Sequence, residues 1–265
     1  MDMKRISIAI LLLLLALPLA AKSNRTDIPK APSKRAGFRL MCYNVRNCKG
    51  ADDEVSYERV ASIIRSARPE VVAIQELDSM TTRYPGQYVL GNLAELTGMK
   101  ATFCHSIEYR GGRYGVGLLS RTKPLSVRRE PLPCPREPRV VLIAEFEDYY
   151  VLVTHWSLKA DYRTRTANIL NGIVKTLKPK PVLLCGDFNA RPYEESMAVL
   201  AKGFKVLKKE GSNLTFPAWE PRYEIDYICV GLDAADRVTV RNHLVLNEPD
   251  ASDHRPFIAD IKIDK

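Results

Sequence analysis

What most constrains this chain is where its polar residues fall. Met41-Cys42-Tyr43-Asn44, Ile74-Gln75-Glu76-Leu77-Asp78, Thr154-His155-Trp156-Ser157, Cys185-Gly186-Asp187-Phe188-Asn189 and Ser252-Asp253-His254-Arg255 each end or lead into an apolar, β-branched run. Runs such as Val71–Ile74 and Val182–Cys185 are apolar throughout, the pattern of strands covered on both faces. Strands of that kind need a layer on each side, which leaves their ends as the place where polar groups gather. The sequence therefore predicts a layered protein with a polar rim.

Readable strands are Phe38–Tyr43, Val71–Gln75, Val116–Ser120, Val140–Phe146, Tyr150–Thr154, Val182–Cys185, Ile225–Val230 and Phe257–Ile263. Helices are predicted over 53–67, 87–97, 161–177 and 193–201. In the first, Val60, Ile63, Ile64 and Ala67 recur at helical spacing and Pro69 stops the run. In the third, Ala167, Leu170, Val174 and Leu177 form one stripe. Strand–helix alternation early on, then hairpin-like neighbours, predicts an α+β fold: a pair of packed mixed sheets with helices on the outer faces.

Lys4 and Arg5 precede an apolar stretch from Ile6 to Ala21 that ends in small residues, the pattern of a secretory signal peptide over residues 1–21. The stretch is shorter than the ~20 apolar residues of a spanning helix, so an uncleaved anchor is the alternative. Residues 22–35 read as a flexible leader, and 36–265 as one catalytic domain, because the polar motifs span its whole length. The expected location is periplasmic or extracellular. The net charge of +9 suits an anionic partner, whether a phosphoester, nucleic acid or an acidic membrane surface. Nothing points to an obligate protein partner. Of six cysteines, Cys42, Cys185 and Cys229 lie in strand-like runs and read as buried hydrophobes. Cys48, Cys104 and Cys134 lie near strand ends or in loops, where one bridge has room to form.

A carboxylate such as Glu76, at the end of an apolar strand, is costly unless a cation compensates it. Asn44 stands at a similar strand end, as a ligand to the same cation directly or through water, or as a turn cap. Oxygen-only ligands point to Mg²⁺ or Mn²⁺. Asp187 and Asn189 share a side if the chain is extended there, the acid suited to orienting or deprotonating water and the amide to binding a phosphoryl oxygen; an Asx-turn is the structural alternative. Asp253 and His254 adjoin metal and water chemistry. Asp226 is placed to accept the second ring proton of His254, and His155 is a second acid–base group. His105 and His243 lack acidic company and read as structural. Together these groups suit hydrolysis of a phosphate ester.

Asn44, Gln75-Glu76, the run Tyr114–Arg121, Thr154-His155, Gly186-Asp187-Phe188-Asn189, Ile225-Asp226-Tyr227 and Ser252-Asp253-His254 occur in one order. In that order they resemble the endonuclease/exonuclease/phosphatase superfamily, across roughly residues 36–264. The resemblance implies a four-layer α/β/β/α sandwich with its site at one end of the sheets. It implies metal positions at Asn44, Glu76 and Asp253, a proton-handling pair in His254 and Asp226, and water-orienting and transition-state roles for Asp187 and Asn189. His155 matches the second histidine of the deoxyribonuclease and sphingomyelinase branches, and Tyr114 a phosphate-contacting tyrosine. The chain looks closest to compact secreted bacterial members. The leading expectation is a secreted Mg²⁺-dependent phosphoesterase that hydrolyses a phosphodiester or phosphomonoester with activated water, a phospholipid headgroup or small phosphodiester foremost. A nuclease is the first alternative and a non-catalytic phosphate-binding module the second. Stacking aromatics beside cations would favour nucleic acid, and Arg46, Arg113, Arg139, Arg191, Trp219 and Tyr223 are the scattered candidates. Trp156 and Trp219 are alternatively an apolar lip beside the substrate site.

Overall fold

The computed structural model describes residues 27–33, 35–177 and 179–264. The predicted signal peptide lies outside these residues. Two six-stranded sheets make up the centre. The first has the order β11 (Val238–Val245), β12 (Phe257–Ile263), β1 (Phe38–Asn44), β2 (Val71–Ser79), β4 (Gly112–Ser120) and β3 (Lys100–Tyr109). The second has the order β5 (Ser126–Leu132), β6 (Arg139–Glu145), β7 (Tyr150–His155), β8 (Val182–Asp187), β10 (Asp226–Gly231) and β9 (Phe204–Val206). Each sheet has one parallel central pair, β1–β2 and β7–β8, and its other pairings are antiparallel. A parallel pair needs a crossover, supplied by α1 (Tyr57–Ala67) in the first sheet and α3 (Ala160–Thr176) in the second.

Strand alternation sorts the apolar residues into three cores. Leu40, Cys42, Val71 and Ala73 face Val151, Val153, Leu183 and Cys185 between the sheets. Met41, Tyr43, Val72 and Ile74 point the other way, under α1 and α2 (Val89–Thr97). Val141, Ile143, Leu152 and Leu184 pack beneath α3 and α4 (Glu195–Leu200). This is the four-layer α/β/β/α sandwich. The first helix begins at Tyr57 rather than 53 because Ser56 caps it, its hydroxyl accepting from the Arg59 N–H. Among the described residues no helix is long and apolar enough to cross a membrane.

The leader read as flexible lies against the domain over its described part: Ile28 packs on the outer core, and the Lys30 carbonyl accepts from Arg39. All six cysteines are free thiols; Cys48 and Cys104 are buried along with Cys42, Cys185 and Cys229, and Cys134 is half-buried. The bridge for which the sequence left room does not form.

Candidate active site

Pairing register sets the site. Asn44 stands beside Gln75 across the parallel pair of the first sheet, and His155 beside Asp187 across that of the second. Asp226 opposes Asp187 in the antiparallel pair β8–β10. Gly186 permits the close approach of β8 to β7, since a Cβ there would lie 2.1 Å from the Thr154 carbonyl oxygen. The same ends of both sheets thus carry the polar residues, as strand-end placement in the sequence suggested.

β2 reaches its carboxylate through a bulge. Ile74 faces Gly117 and Leu77 faces Gly115, so Gln75 and Glu76 stand together opposite Val116. Glu76 adopts φ 59°, in the left-handed region. Beyond β1 the chain turns through Arg46, Asn47 and Cys48, all with positive φ. The Asn47 side-chain oxygen accepts from the Asp78 N–H at 2.6 Å, tying the ends of β1 and β2. Ser252 donates to the Asn44 carbonyl at 2.7 Å, fastening the Asp253–His254 loop to β1.

One atom joins the two sheets. The Asp187 Oδ2 accepts from Asn44 Nδ2 at 3.1 Å, and lies 3.4 Å from His155 Nε2 and 3.6 Å from His254 Nε2. Its other oxygen accepts from the Asn189 N–H at 2.8 Å, so the Asx-turn is present alongside these contacts. Asn189 donates to the Trp156 carbonyl at 3.1 Å. His254 Nδ1 lies 2.9 Å from Asp226 Oδ2, which also accepts from the Thr215 hydroxyl. Phe216 packs its ring on His254, 4.8 Å between centroids.

The charge states follow from burial and neighbours. Burial raises the proton affinity of Asp187, and Asp226 adds to it. Burial alone would lower His254, but Asp226 and Asp187 outweigh it and raise that imidazole well above the ordinary range. Burial, then Arg139 and His254, hold His155 far below it, hence neutral. Arg139 Nη1 sits 3.3 Å from His155 Nδ1. A guanidinium only donates, so Nδ1 is the acceptor and Nε2 carries the proton, aimed at Asp187.

The donor set fits a hard divalent cation. Glu76 is raised by burial, eased by the Asn44 Nδ2 hydrogen bond at 3.0 Å and raised further by nearby Asp253. Among the described residues no side-chain cation pairs with Glu76, while Asp253 has only Arg46 at 3.7 Å. Two acids sharing this little compensation are the setting for oxygen-ligated Mg²⁺ or Mn²⁺. Asn44 turns its amide nitrogen to Glu76, and its oxygen accepts from the Arg46 N–H at 3.1 Å, which leaves that oxygen a second lone pair for a cation. Asp187, Asp226 and His254 form a second group whose ligand atoms lie within 4.8 Å of one another, and the buried Asp226 Oδ1 has no hydrogen-bond partner among the described residues.

Tyr114 lies with Ser106, Arg139 and His155 around a small niche. Its hydroxyl stays protonated, burial first and Glu76 second raising it. Trp219 is 55% exposed on a hairpin whose Ala218 N–H donates to the Asp253 carbonyl, so it stands at the rim. Trp156 is core instead of lip, stacked on Phe188 with 4.2 Å between centroids. Of the scattered cations, Arg139 belongs to the centre, at the start of β6 beside His155. Thr215 gave no sequence signal, because it lies in an irregular segment far from the motifs.

Residues 41–254 match the profile of the Endonuclease/Exonuclease/phosphatase family. The fold is similar to several solved structures. An endonuclease/exonuclease/phosphatase from Bacteroides vulgatus has TM-score 0.70 at 18% identity, over 86% of this chain and 99% of that one. A mannosyl-6-phosphatase from Bacteroides thetaiotaomicron has TM-score 0.68 at 18% identity, over 85% and 100%. The human Nocturnin catalytic domain has TM-score 0.61 at 18% identity, over 86% and 95%. At these identities the likeness establishes shared architecture.

Proposed function

The chain belongs to the endonuclease/exonuclease/phosphatase family of phosphoester hydrolases, and from that premise we propose that it is an exported, Mg²⁺- or Mn²⁺-dependent phosphoesterase acting on a phospholipid headgroup or small phosphodiester. The observation that carries the reading is the meeting of Asn44, His155 and His254 on one oxygen of Asp187. Imidazoles, an acid of raised proton affinity and an amide donor around one point suit hydrolysis by water.

Glu76 and Asp253 hold the cation in this reading. That location leaves the His254–Asp226 hydrogen bond intact, whereas a cation within the Asp187–Asp226–His254 group would compete with the imidazole proton. When bound, the cation supplies Lewis-acid stabilisation of phosphoryl charge. Asp187 orients the attacking water and takes its proton. His254, held by Asp226, gives a proton to the leaving oxygen. Neutral His155 donates through Nε2, and the free N–H of Asn189 meets a phosphoryl oxygen. Tyr114 offers a protonated hydroxyl beside them, and Trp219 borders the substrate.

The short spacing between His155, Asp187 and Asp226 leaves little chain for large gripping insertions, which favours compact substrates. Nucleic acid is the second reading. It is favoured by the Arg191 guanidinium over the Tyr223 ring at 4.2 Å, hydrogen-bonded to the exposed Tyr193. Export rests on the Lys4–Ala21 pattern, and mass spectrometry of the native protein should find a mature N-terminus near residue 22.

A panel assay with Mg²⁺, then with chelator, tests the reading on sphingomyelin, phosphoinositides, bis-p-nitrophenyl phosphate, RNA and plasmid DNA. Chelator-sensitive release from a small phosphodiester or lipid is expected. Cleavage of nucleic acid alone would select the second reading, and no hydrolysis of any ester with Mg²⁺ or Mn²⁺ would overturn both.

A further inference from the structure

Beside the catalytic centre lies an open cleft of about 450 Å³ that the mechanism does not use. Its walls are the segment Cys134–Arg139 before and into β6, and the segment Ser157–Lys159 between β7 and α3. Arg139 belongs to both places: it lines the cleft and meets His155 Nδ1 at 3.3 Å. The cleft therefore opens next to the scissile position.

Its charge is unbalanced. Arg136 and Lys159 are exposed and, among the described residues, have no ion-pair partner, whereas Glu137 is already engaged by Arg139 at 2.7 Å. Arg139 is only 7% exposed and is balanced by Glu137, so the excess positive charge of the cleft is that of Arg136 and Lys159. α3, 17 residues long, begins immediately after Lys159, and Asp161 in its first turn offsets the positive end of the helix. Neutral donors are present as well. The Cys134 thiol reaches the Ser157 hydroxyl at 3.3 Å, and the backbone N–H groups of Arg136 and Glu137 converge on its sulfur.

Those contacts act on the Cys134 thiol itself. Burial would raise it, yet the Ser157 hydroxyl, the two backbone donors and Arg139 together bring it below the ordinary thiol range.

We infer that this cleft is a subsite for a second anionic group, so that the preferred substrate carries a phosphate or comparable anion apart from the one that is hydrolysed. The inference rests on the phosphoester reading and narrows it. Arg136 and Lys159 contact only the second group, while Arg139 bridges the subsite and His155. A substrate anchored at two anions is also fixed in orientation, which lets the distant contact aid the reaction.

Titration calorimetry in Mg²⁺ with a ladder of α,ω-alkanediol bisphosphates and the matching alkyl monophosphates tests this on the full chain. At the best spacer the bisphosphate should bind about 10-fold or more tighter than its monophosphate, as one or two charge-assisted hydrogen bonds provide. The double variant Arg136→Ala/Lys159→Ala should erase that advantage and leave monophosphate affinity unchanged. The subsite is overturned if no spacer improves on the monophosphate, or if the advantage survives in the double variant. Calorimetry reads binding without turnover. A protein that shows the bisphosphate advantage but hydrolyses no ester would retain the subsite and lose the phosphoester reading.

Discussion

The two sheets bring different carboxylates to one rim. Those of the first sheet's side are less deeply covered, Glu76 half-buried and the Asp253 side chain 23% exposed, and carry little positive compensation. Those of the second, Asp187 and Asp226, are 2% exposed and already engaged by imidazoles. Less covered, undercompensated acids suit an exchangeable cation, and buried, imidazole-bound acids suit proton transfer. The division is crossed by two residues: Asn44 of the first sheet donates to Asp187 of the second, and His254 comes from the loop leading into β12 of the first sheet but pairs with Asp226 of the second. Neither sheet alone holds a complete site, so catalytic geometry depends on the packing between them.

The largest expected effect breaks the first half. Glu76→Gln keeps size and the Asn44 contact but removes a cation-binding charge, so activity should disappear while thermal unfolding stays near that of the parent. Turnover close to the parent's at limiting Mg²⁺ would assign the cation to the other acidic group. Next comes the crossing pair. His254→Ala should lower kcat by ~10²–10⁴, the range of general acid–base help. Asp226→Asn should lose much of the same, and the double variant little more than the worse single, because the two act as one unit. Independent multiplication of the two effects at saturating Mg²⁺ would refute the pairing.

His155→Ala should cost less, about 10²-fold. Combined with Asp226→Asn its effect should multiply, since His155 is oriented by Arg139 and not by Asp226; sub-multiplicative losses would join the two histidines in one step. The smallest effect sharpens the contrast with a histidine outside the site. Burial, with Lys209 beside it, depresses His243 to about 3, while its Nδ1 sits 3.1 Å from the Lys208 carbonyl. A histidine depressed in the fold contributes stability that is full above the unfolded value of 6.5 and is lost as pH falls toward 3. Replacing it with Gln should flatten that acid-side decline by up to about 1.4 kcal/mol per pH unit. Urea unfolding at pH 7 and pH 4.5 measures this, and parallel losses in parent and variant would remove His243 from the account.

Much of the fold was legible, and what was not has one physical cause. The four unread strands, β3, β5, β9 and β11, are the four sheet edges. An edge strand has neighbours on one side only and tolerates charge. β5, Ser-Val-Arg-Arg-Glu-Pro-Leu, is exposed along most of its length, and β11 alternates half-buried and exposed residues over its first five positions. Central strands, covered on both faces, declare themselves by unbroken apolar runs. In the site, the positions of Glu76, His155, Asp187, Asp226 and His254 were readable because each sits at the end of such a run or beside one. The closeness of Arg139 to His155, of Thr215 to Asp226 and of Trp156 to Phe188 was not, since each is a tertiary contact without local signature. The orientation of the Asn44 amide was equally hidden, being decided by the Arg46 N–H after the turn.

The bulge in β2 makes this protein sensitive to chain length in a way that side-chain replacement does not expose. Before it, Val72 and Ile74 face the helices and Val71 and Ala73 face the other sheet. After it, Leu77 rejoins the helix side, although strict alternation would give that place to Glu76. Deleting one residue at Gln75–Glu76 would remove the bulge and leave the phase intact: Ile74 and Leu77 would keep Gly117 and Gly115 as partners and stay on the helix side, and a single residue would stand opposite Val116 where the polar pair now stands. Among descendants of this sequence, substitutions along β2 can accumulate one by one, but a one-residue insertion or deletion outside the bulge would turn every later side chain to the other face, and one within it would cost the extra polar residue. The segment from Val71 to Ser79 should therefore drift in composition and stay fixed in length.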